Sequence, residues 1–156
     1  MFRIRHCRPL LLLAAVVFSP AAHAVPTEVS ADILTPLELS EMHRLGFGAF
    51  IPSGTPGTVG SNKLPGTNGI ARTAPGFTGM YQVTGEAGMN YSVTHDTTVQ
   101  LQKGGDTMQA TLALTLGGVA LDATGHDIFG ISGTLSVGAN QAAGDYSGTF
   151  NVTVSY

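Results

Sequence analysis

Apolar and polar residues alternate along the segment 146–156. A period of two places alternate residues on opposite faces of a strand, so this pattern predicts one continuous strand with a buried face. The segment has no Lys, Pro or charge that would protect an exposed edge, and we therefore expect a neighbouring strand or another chain to cover it. Its apolar phase consists of Tyr146, Gly148, Phe150, Val152, Val154 and Tyr156.

Shorter alternating segments, separated by turn residues, recur along the preceding part of the chain. Gly85–Gly88 predicts the turn of a hairpin over 80–95, and Gly104–Asp106 predicts a turn between strands over 98–101 and 108–116. The other predicted elements are turns over 122–127 and 140–145, and a strand over 128–137 that is interrupted by Gly130 and Gly133.

The N-terminal half is less regular. Glu38–Arg44 is compatible with a helical turn, and residues 45–51 with a short strand. Four Pro and six Gly fall within Pro52–Gly76, which favours an irregular hairpin with strands near 58–59 and 70–73, and a disordered linker is the alternative. An extended arm precedes Pro36, with an apolar phase of Val25, Val29, Ala31 and Ile33.

Seven to eight short strands, with turns at intervals of roughly ten residues, predict an all-β fold. We expect a single antiparallel β-sandwich domain over residues 25–156, since this length suits one domain.

Residues 1–24 have the organisation of a secretory signal peptide. Three Arg residues precede an apolar run, and a small-x-small motif ends at Ala24, which predicts cleavage between Ala24 and Val25. The apolar run is too short to cross a bilayer, which needs about 20 residues. We expect an exported protein, located in the periplasm, on the cell surface or outside the cell, with no stable membrane span after cleavage.

Removal of this leader changes the charge and cysteine content. Four basic residues remain against ten acidic residues, a formal charge of −6, which disfavours nucleic acid as a partner. Cys7, the only cysteine, leaves with the leader, so the mature chain has no disulfide and no thiolate ligand.

The remaining polar residues do not predict an active site. His43, His95 and His126 lack the spacing of metal ligands, and no GxSxG motif or paired carboxylates accompany them. We therefore predict no catalytic residue, metal or cofactor, and consider a hydrolase the weakest of the functional classes.

Several motifs together resemble the bacterial exported family known as domain of unknown function 4402. They are Ala31-x-Ile33 with Pro36-Leu37-x-Leu39, Leu45-x-Phe47-Gly48 with Ile51-Pro52, Val83-Thr84-Gly85-Glu86-x-Gly88 with Tyr91-Ser92-Val93, and Gln141-x-x-Gly144-x-Tyr146-Ser147-Gly148-Thr149. The match is weakest in Pro52–Gly76. The resemblance implies no established activity.

The C-terminal pattern is also similar to that of spore-coat-U-like proteins and chaperone-usher pilins. In pilins the immunoglobulin-like sandwich lacks one strand, which a chaperone and then the N-terminal arm of the next subunit provide, so the resemblance implies an immunoglobulin-like β-sandwich here. This resemblance implies a subunit-contact strand carrying Tyr146, Phe150, Val152, Val154 and Tyr156, and a donor arm carrying Val25, Val29, Ala31 and Ile33. The arm before Ile33 is short, and an ordinary first strand is its alternative.

Two functions remain open from the sequence. The first is a non-enzymatic structural or adhesive surface subunit that assembles with itself by strand complementation, with a periplasmic chaperone as a second partner. The alternative is a self-contained binding module that recognises a sugar or protein through the Pro52–Gly76 loops.

Overall fold

The structure is a computed structural model that describes residues 28–117 and 119–156. Two compact units divide the chain, Met1–Asp32 and Ile33–Tyr156. In the first unit, the described residues 28–32 contain no helix or strand. The described residues of the second unit contain no helix, and their ten strands are β1 (Glu38–His43), β2 (Ala49–Ile51), β3 (Gly57–Gly60), β4 (Ala71–Ala74), β5 (Gly79–Thr84), β6 (Ser92–His95), β7 (Thr98–Lys103), β8 (Asp106–Leu116), β9 (His126–Val137) and β10 (Val152–Ser155).

The largest sheet is organised around β9. Its order is β1-β5-β9-β8-β7, and all neighbouring strands are antiparallel. β3 also pairs with β9, beside residues 134–137, whereas β5 pairs beside residues 126–131. Since β8 occupies the opposite edge of β9, β3 and β5 lie end to end along the same edge.

Ser61 bridges the gap between β3 and β5. Its backbone N–H donates to the carbonyl of Gly133 over 2.8 Å, and its Oγ accepts the N–H of Gly133 over 2.8 Å. Ser61 is only 3% exposed, so both bonds satisfy backbone groups that would otherwise be buried without a partner.

Two small sheets complete the second unit. β6 pairs with β10, from Ser92 opposite Ser155 to His95 opposite Val152, and β2 pairs with β4. A bridge between Gln102 and Ser147 also links the C-terminal segment to β7.

The core is formed mainly by apolar side chains from one phase of the strands, together with residues of the connecting loops. The rings of Tyr81 and Phe129 stack with centroids 5.3 Å apart. The largest fully buried side chains are Phe129, Ile131, Leu135, Val59, Val83 and Val137. The predicted all-β antiparallel fold is confirmed, with ten strands in place of the expected seven to eight.

The predicted hairpin over 80–95 is wrong. β5 pairs with β1 and β9, whereas β6 pairs with β10 in another sheet. The connection is held by residues near 119–125 instead: Gly85 N–H bonds to Gly125 O, and Leu121 N–H bonds to Met89 O. These contacts direct the chain away from β5, so β5 and β6, which are consecutive in sequence, do not pair with each other.

The C-terminal strand is shorter than predicted. Only Val152–Ser155 forms a regular strand, because the segment changes partner from β7 to β6. At this corner the carboxylate of Asp96 accepts the backbone N–H of Asn151 over 2.8 Å, which interrupts regular pairing. The predicted alternation nevertheless holds, since Tyr146, Phe150, Val152 and Val154 pack against the core while their neighbours are exposed.

Three other local predictions also need correction. Glu38–His43 forms a strand rather than a helical turn, because it pairs with β5. The two strands predicted within Pro52–Gly76 exist, but β3 pairs with β9 and β4 with β2, so they form no hairpin. β9 is continuous through its glycines, and Gly133 leaves room for the Phe47 ring, whose Cζ would lie 2.9 Å from an added Cβ.

Candidate functional site

An open groove separates β1 from the C-terminal segment. One part has a volume of about 650 Å³ and is lined by apolar residues that include Leu39, Tyr81 and Val152. It meets a second part of about 400 Å³, which reaches Phe47, Leu101 and Tyr146. We call these two connected cavities the groove, and they share Arg44, Leu45, Gly148 and Phe150.

One wall of the groove is β1, and the other is the segment 148–152, of which only Val152 belongs to a strand, β10. In the part of the chain that the structure describes, β1 pairs only with β5, and β10 pairs only with β6. Leu39 and Val152 line the first cavity together, while Leu45 and Gly148 lie where the two cavities meet, so the walls run in opposite directions. Backbone N–H and C=O groups along such edges can pair with an added strand.

The floor of the groove is apolar and only half-buried. Leu39, Leu45, Phe150 and Val152 pack against the core, but each keeps part of its surface exposed. Side chains in the core phase of a strand are normally covered by a facing layer. Here that layer is absent between the two walls, among the residues that the structure describes.

Three residues form a hydrogen-bonded cluster near the N-terminal end of the second unit. Tyr156 Oη donates to the carbonyl of Thr35 over 2.6 Å and accepts the N–H of Glu86 over 2.7 Å. The Glu86 carboxylate accepts the Thr35 N–H over 3.0 Å and the Thr35 hydroxyl over 2.7 Å. These two bonds from Thr35 lower the pKa of Glu86. We call Thr35, Glu86 and Tyr156 the clasp.

The charged residues at the groove lie on its rim. Arg44 is 92% exposed, and its Nε lies 3.9 Å from a carboxylate oxygen of Glu41. Burial, and secondarily the negative charge of Glu41, raises the pKa of Tyr81 on the groove wall. An exposed pair at this distance is weak, so Arg44 remains accessible to another anion.

The predicted contact residues lie in different places. Phe150 and Val152 line the groove, Tyr146 lines its second part, Val154 packs on the core, and Tyr156 belongs to the clasp.

The predicted arm is exposed where it is described. Val29 and Ile33 are 95% and 97% exposed, and Ala31 is also exposed. Val25 and the predicted cleavage site after Ala24 lie outside the described residues.

The β1 wall of the groove was not predicted from the sequence. Leu39 and Leu45 were assigned to different predicted elements, and nothing in their spacing shows that they face Val152 and Phe150. The available signal was the alternation of Leu37 and Leu39 beside polar neighbours, which marks a half-buried strand.

Polar clusters elsewhere are explained by local structure. Asp122 accepts the backbone N–H groups of Thr124 and His126 and the Thr124 hydroxyl, which lowers its pKa. This is the geometry of an Asp-stabilised turn. Across the described ranges 28–117 and 119–156, no three His, Cys, Asp or Glu residues are grouped as metal ligands would be. No helix within them is long and apolar enough to span a bilayer.

Comparison with known families identifies the domain that contains the groove. Residues 37–156 match a family described as a domain of unknown function, DUF4402. The chain belongs to the DUF4402 family. The DUF4402 match includes both walls of the groove and begins after the arm residues Val29–Ile33. No curated protein and no solved structure matches the chain.

Proposed function

We propose that this protein is an exported, non-enzymatic structural subunit of the cell surface that assembles by β-strand complementation. The arm of one copy, residues 25–33, occupies the groove of a second copy. The observation that carries this proposal is the groove itself, with the unpaired edge of β1 on one wall and half-buried apolar side chains on its floor.

The arm has the pattern that such a groove requires. Val29, Ala31 and Ile33 project from one face of an extended chain, and the first and last of them are almost fully exposed. Nine residues, 25–33, would span roughly 30 Å when extended. The wall segment 148–152 would span about 16 Å at the same rise, so the arm is long enough to cover it.

The expected energies favour assembly only if the backbone also pairs. Full burial of Val25, Val29 and Ile33 would contribute on the order of 5 kcal/mol. Association costs at least about 4 kcal/mol in lost translational and rotational freedom. Hydrogen bonds along both walls would therefore supply much of the net stability, as in other complexes formed by strand addition.

A chaperone fits the same proposal. During export the groove would expose unpaired strand edges beside apolar side chains, which is a combination that promotes aggregation. A periplasmic partner that covers the groove with its own strand would protect the subunit until the arm of another copy replaces that strand.

A pair of arm substitutions tests the proposal. Val29→Asp places a charge on the apolar phase of the arm, and Ser30→Asp places the same charge on the neighbouring polar phase. Both residues are exposed, so both variants should fold normally. We expect light scattering across a concentration series to show oligomers for the wild-type protein and for Ser30→Asp, and monomers for Val29→Asp.

Two results would contradict strand complementation by the arm. One is a wild-type protein that stays monomeric at every accessible concentration. The other is assembly of Val29→Asp to the same extent as Ser30→Asp, because an arm seated in an apolar groove must distinguish its two faces.

A further inference from the structure

We infer that Arg44 selects the register of the incoming arm by pairing with Glu28 of a second copy. This inference rests on the proposed assembly and adds the charge contact that positions the arm. Arg44 lies on the rim where the two cavities of the groove meet, so it marks the middle of the acceptor site.

Among the described residues, Arg44 is the only basic side chain that lines the groove, and two of the other cations already have partners. The guanidinium of Arg72 donates to the backbone carbonyls of Phe47, Gly60 and Leu64. The ammonium of Lys103 donates to the carbonyl of Ala143 and lies 4.0 Å from the carboxylate of Asp106. Arg44, by contrast, has a 3.9 Å contact with Glu41 and is 92% exposed.

The arm supplies acidic residues on the matching face. Glu28, Ser30 and Asp32 alternate with Val29, Ala31 and Ile33, so the acids stay on the rim when the apolar phase enters the groove. When residues 25–33 are centred in the groove, Val29 lies opposite its middle, and Glu28 is the neighbouring acid. Asp32 would lie about 13 Å from Glu28 along the strand, near one end of the groove.

An acidic residue of the acceptor makes this contact selective. Asp145 also lines the groove and would repel an acidic arm that is placed away from Arg44. A shift by two residues keeps the apolar phase inside but moves Glu28 away from the guanidinium. Charge contacts of this kind discriminate between registers more than they add affinity.

Charge reversal in the complete chain tests the contact. We expect Arg44→Glu to raise the concentration at which half of the protein is assembled by roughly fivefold to tenfold at low salt, with a smaller effect at high salt. Adding Glu28→Lys to Arg44→Glu should restore assembly. Adding Asp32→Lys makes the same change in net charge and is the matched control, which should restore it less.

Each outcome separates this inference from the proposed function. If Arg44→Glu assembles like the wild-type protein, or if Asp32→Lys rescues it better than Glu28→Lys, the register is wrong although assembly by the arm stands. If Val29→Asp also leaves assembly intact, the proposed function fails as well. Circular dichroism of every variant confirms that the comparison is made between folded proteins.

Discussion

Arg72 shows how one long side chain can join an irregular part of the fold. Its Nε donates to Leu64 O over 2.6 Å, Nη1 donates to Phe47 O over 2.9 Å, and Nη2 donates to Gly60 O over 2.7 Å. The guanidinium thereby connects β4 to the end of β3 and to the loop before β2. Its planar set of donors suits three carbonyls that lie in different directions.

Replacing Arg72 by Met should therefore destabilise the domain by about 2–4 kcal/mol, since it leaves part-buried carbonyls without donors. Arg72→Lys should recover only a small part of this loss, because an ammonium cannot reach all three carbonyls. Lys63→Met, an exposed cation in the same region, should change the free energy of unfolding by less than about 0.5 kcal/mol. Urea denaturation measures all three variants, and equal effects of Arg72→Met and Lys63→Met would contradict this role.

At the scale of elements, the clasp links three segments that are distant in sequence. It joins the residues before β1, the loop after β5 and the residue after β10 through four hydrogen bonds. Gly85 permits this approach, because an added Cβ would lie 2.5 Å from Tyr156 Oη. The clasp thus fixes the position from which the arm departs.

The clasp should make stability depend on pH. Hydrogen bonds from Thr35 lower the pKa of Glu86 in the folded state, so the folded protein holds fewer protons at this group than the unfolded chain. Its stabilising effect is therefore complete above the ordinary Glu pKa of 4.5 and is lost as pH falls from there through the lowered folded value. The urea midpoint of Glu86→Gln should lie below that of the wild-type protein at pH 7, with the difference shrinking in acid.

Thr35→Val is the companion variant, because it removes the hydroxyl donor while keeping the shape of the side chain. Like Glu86→Gln, it should reduce the pH dependence of the urea midpoint. In a protein that already carries Glu86→Gln, it should have little further effect on that pH dependence. The urea midpoints of the wild-type protein and Glu86→Gln could instead differ by the same amount from neutral to acidic pH. That result would show that the clasp does not act through this carboxylate.

Alternation along the chain predicted most strands but not their partners. The phases of residues 81–83 and 150–154 are those expected from sequence, since the period of a strand is a local property. Pairing depends on contacts that local patterns do not encode, such as the bonds between residues 85–91 and 119–125 that separate β5 from β6. The groove could not be predicted for the same reason, because its walls lie about 100 residues apart.

At the scale of the whole molecule, the proposed assembly makes a prediction about backbone protection. Amides of β1 that point away from β5, and the amides of residues 148–150, have no hydrogen-bond partner among the described residues, so they should exchange rapidly in the monomer. Assembly by strand addition should protect alternate amides on both walls. Amides of β9, which pairs on both edges, should be protected in either state.

Hydrogen exchange of the wild-type assembly, compared with monomeric Val29→Asp, measures this difference. Protection confined to one wall would show that the added strand pairs on one side only. Protection located at the Pro52–Gly76 loops instead of the groove would favour the alternative of a binding surface formed by those loops.

The central position of β9 has a consequence for the order in which this protein can fold. Of the seven strand pairings among the described residues, only β7 with β8 and β8 with β9 join consecutive strands. β3 and β5 are synthesised long before β9, the strand that each must pair with. A chain with so many distant contacts is expected to fold in milliseconds to seconds. β3 therefore has no strand partner until β9 has been made, whereas β5 can already pair with β1.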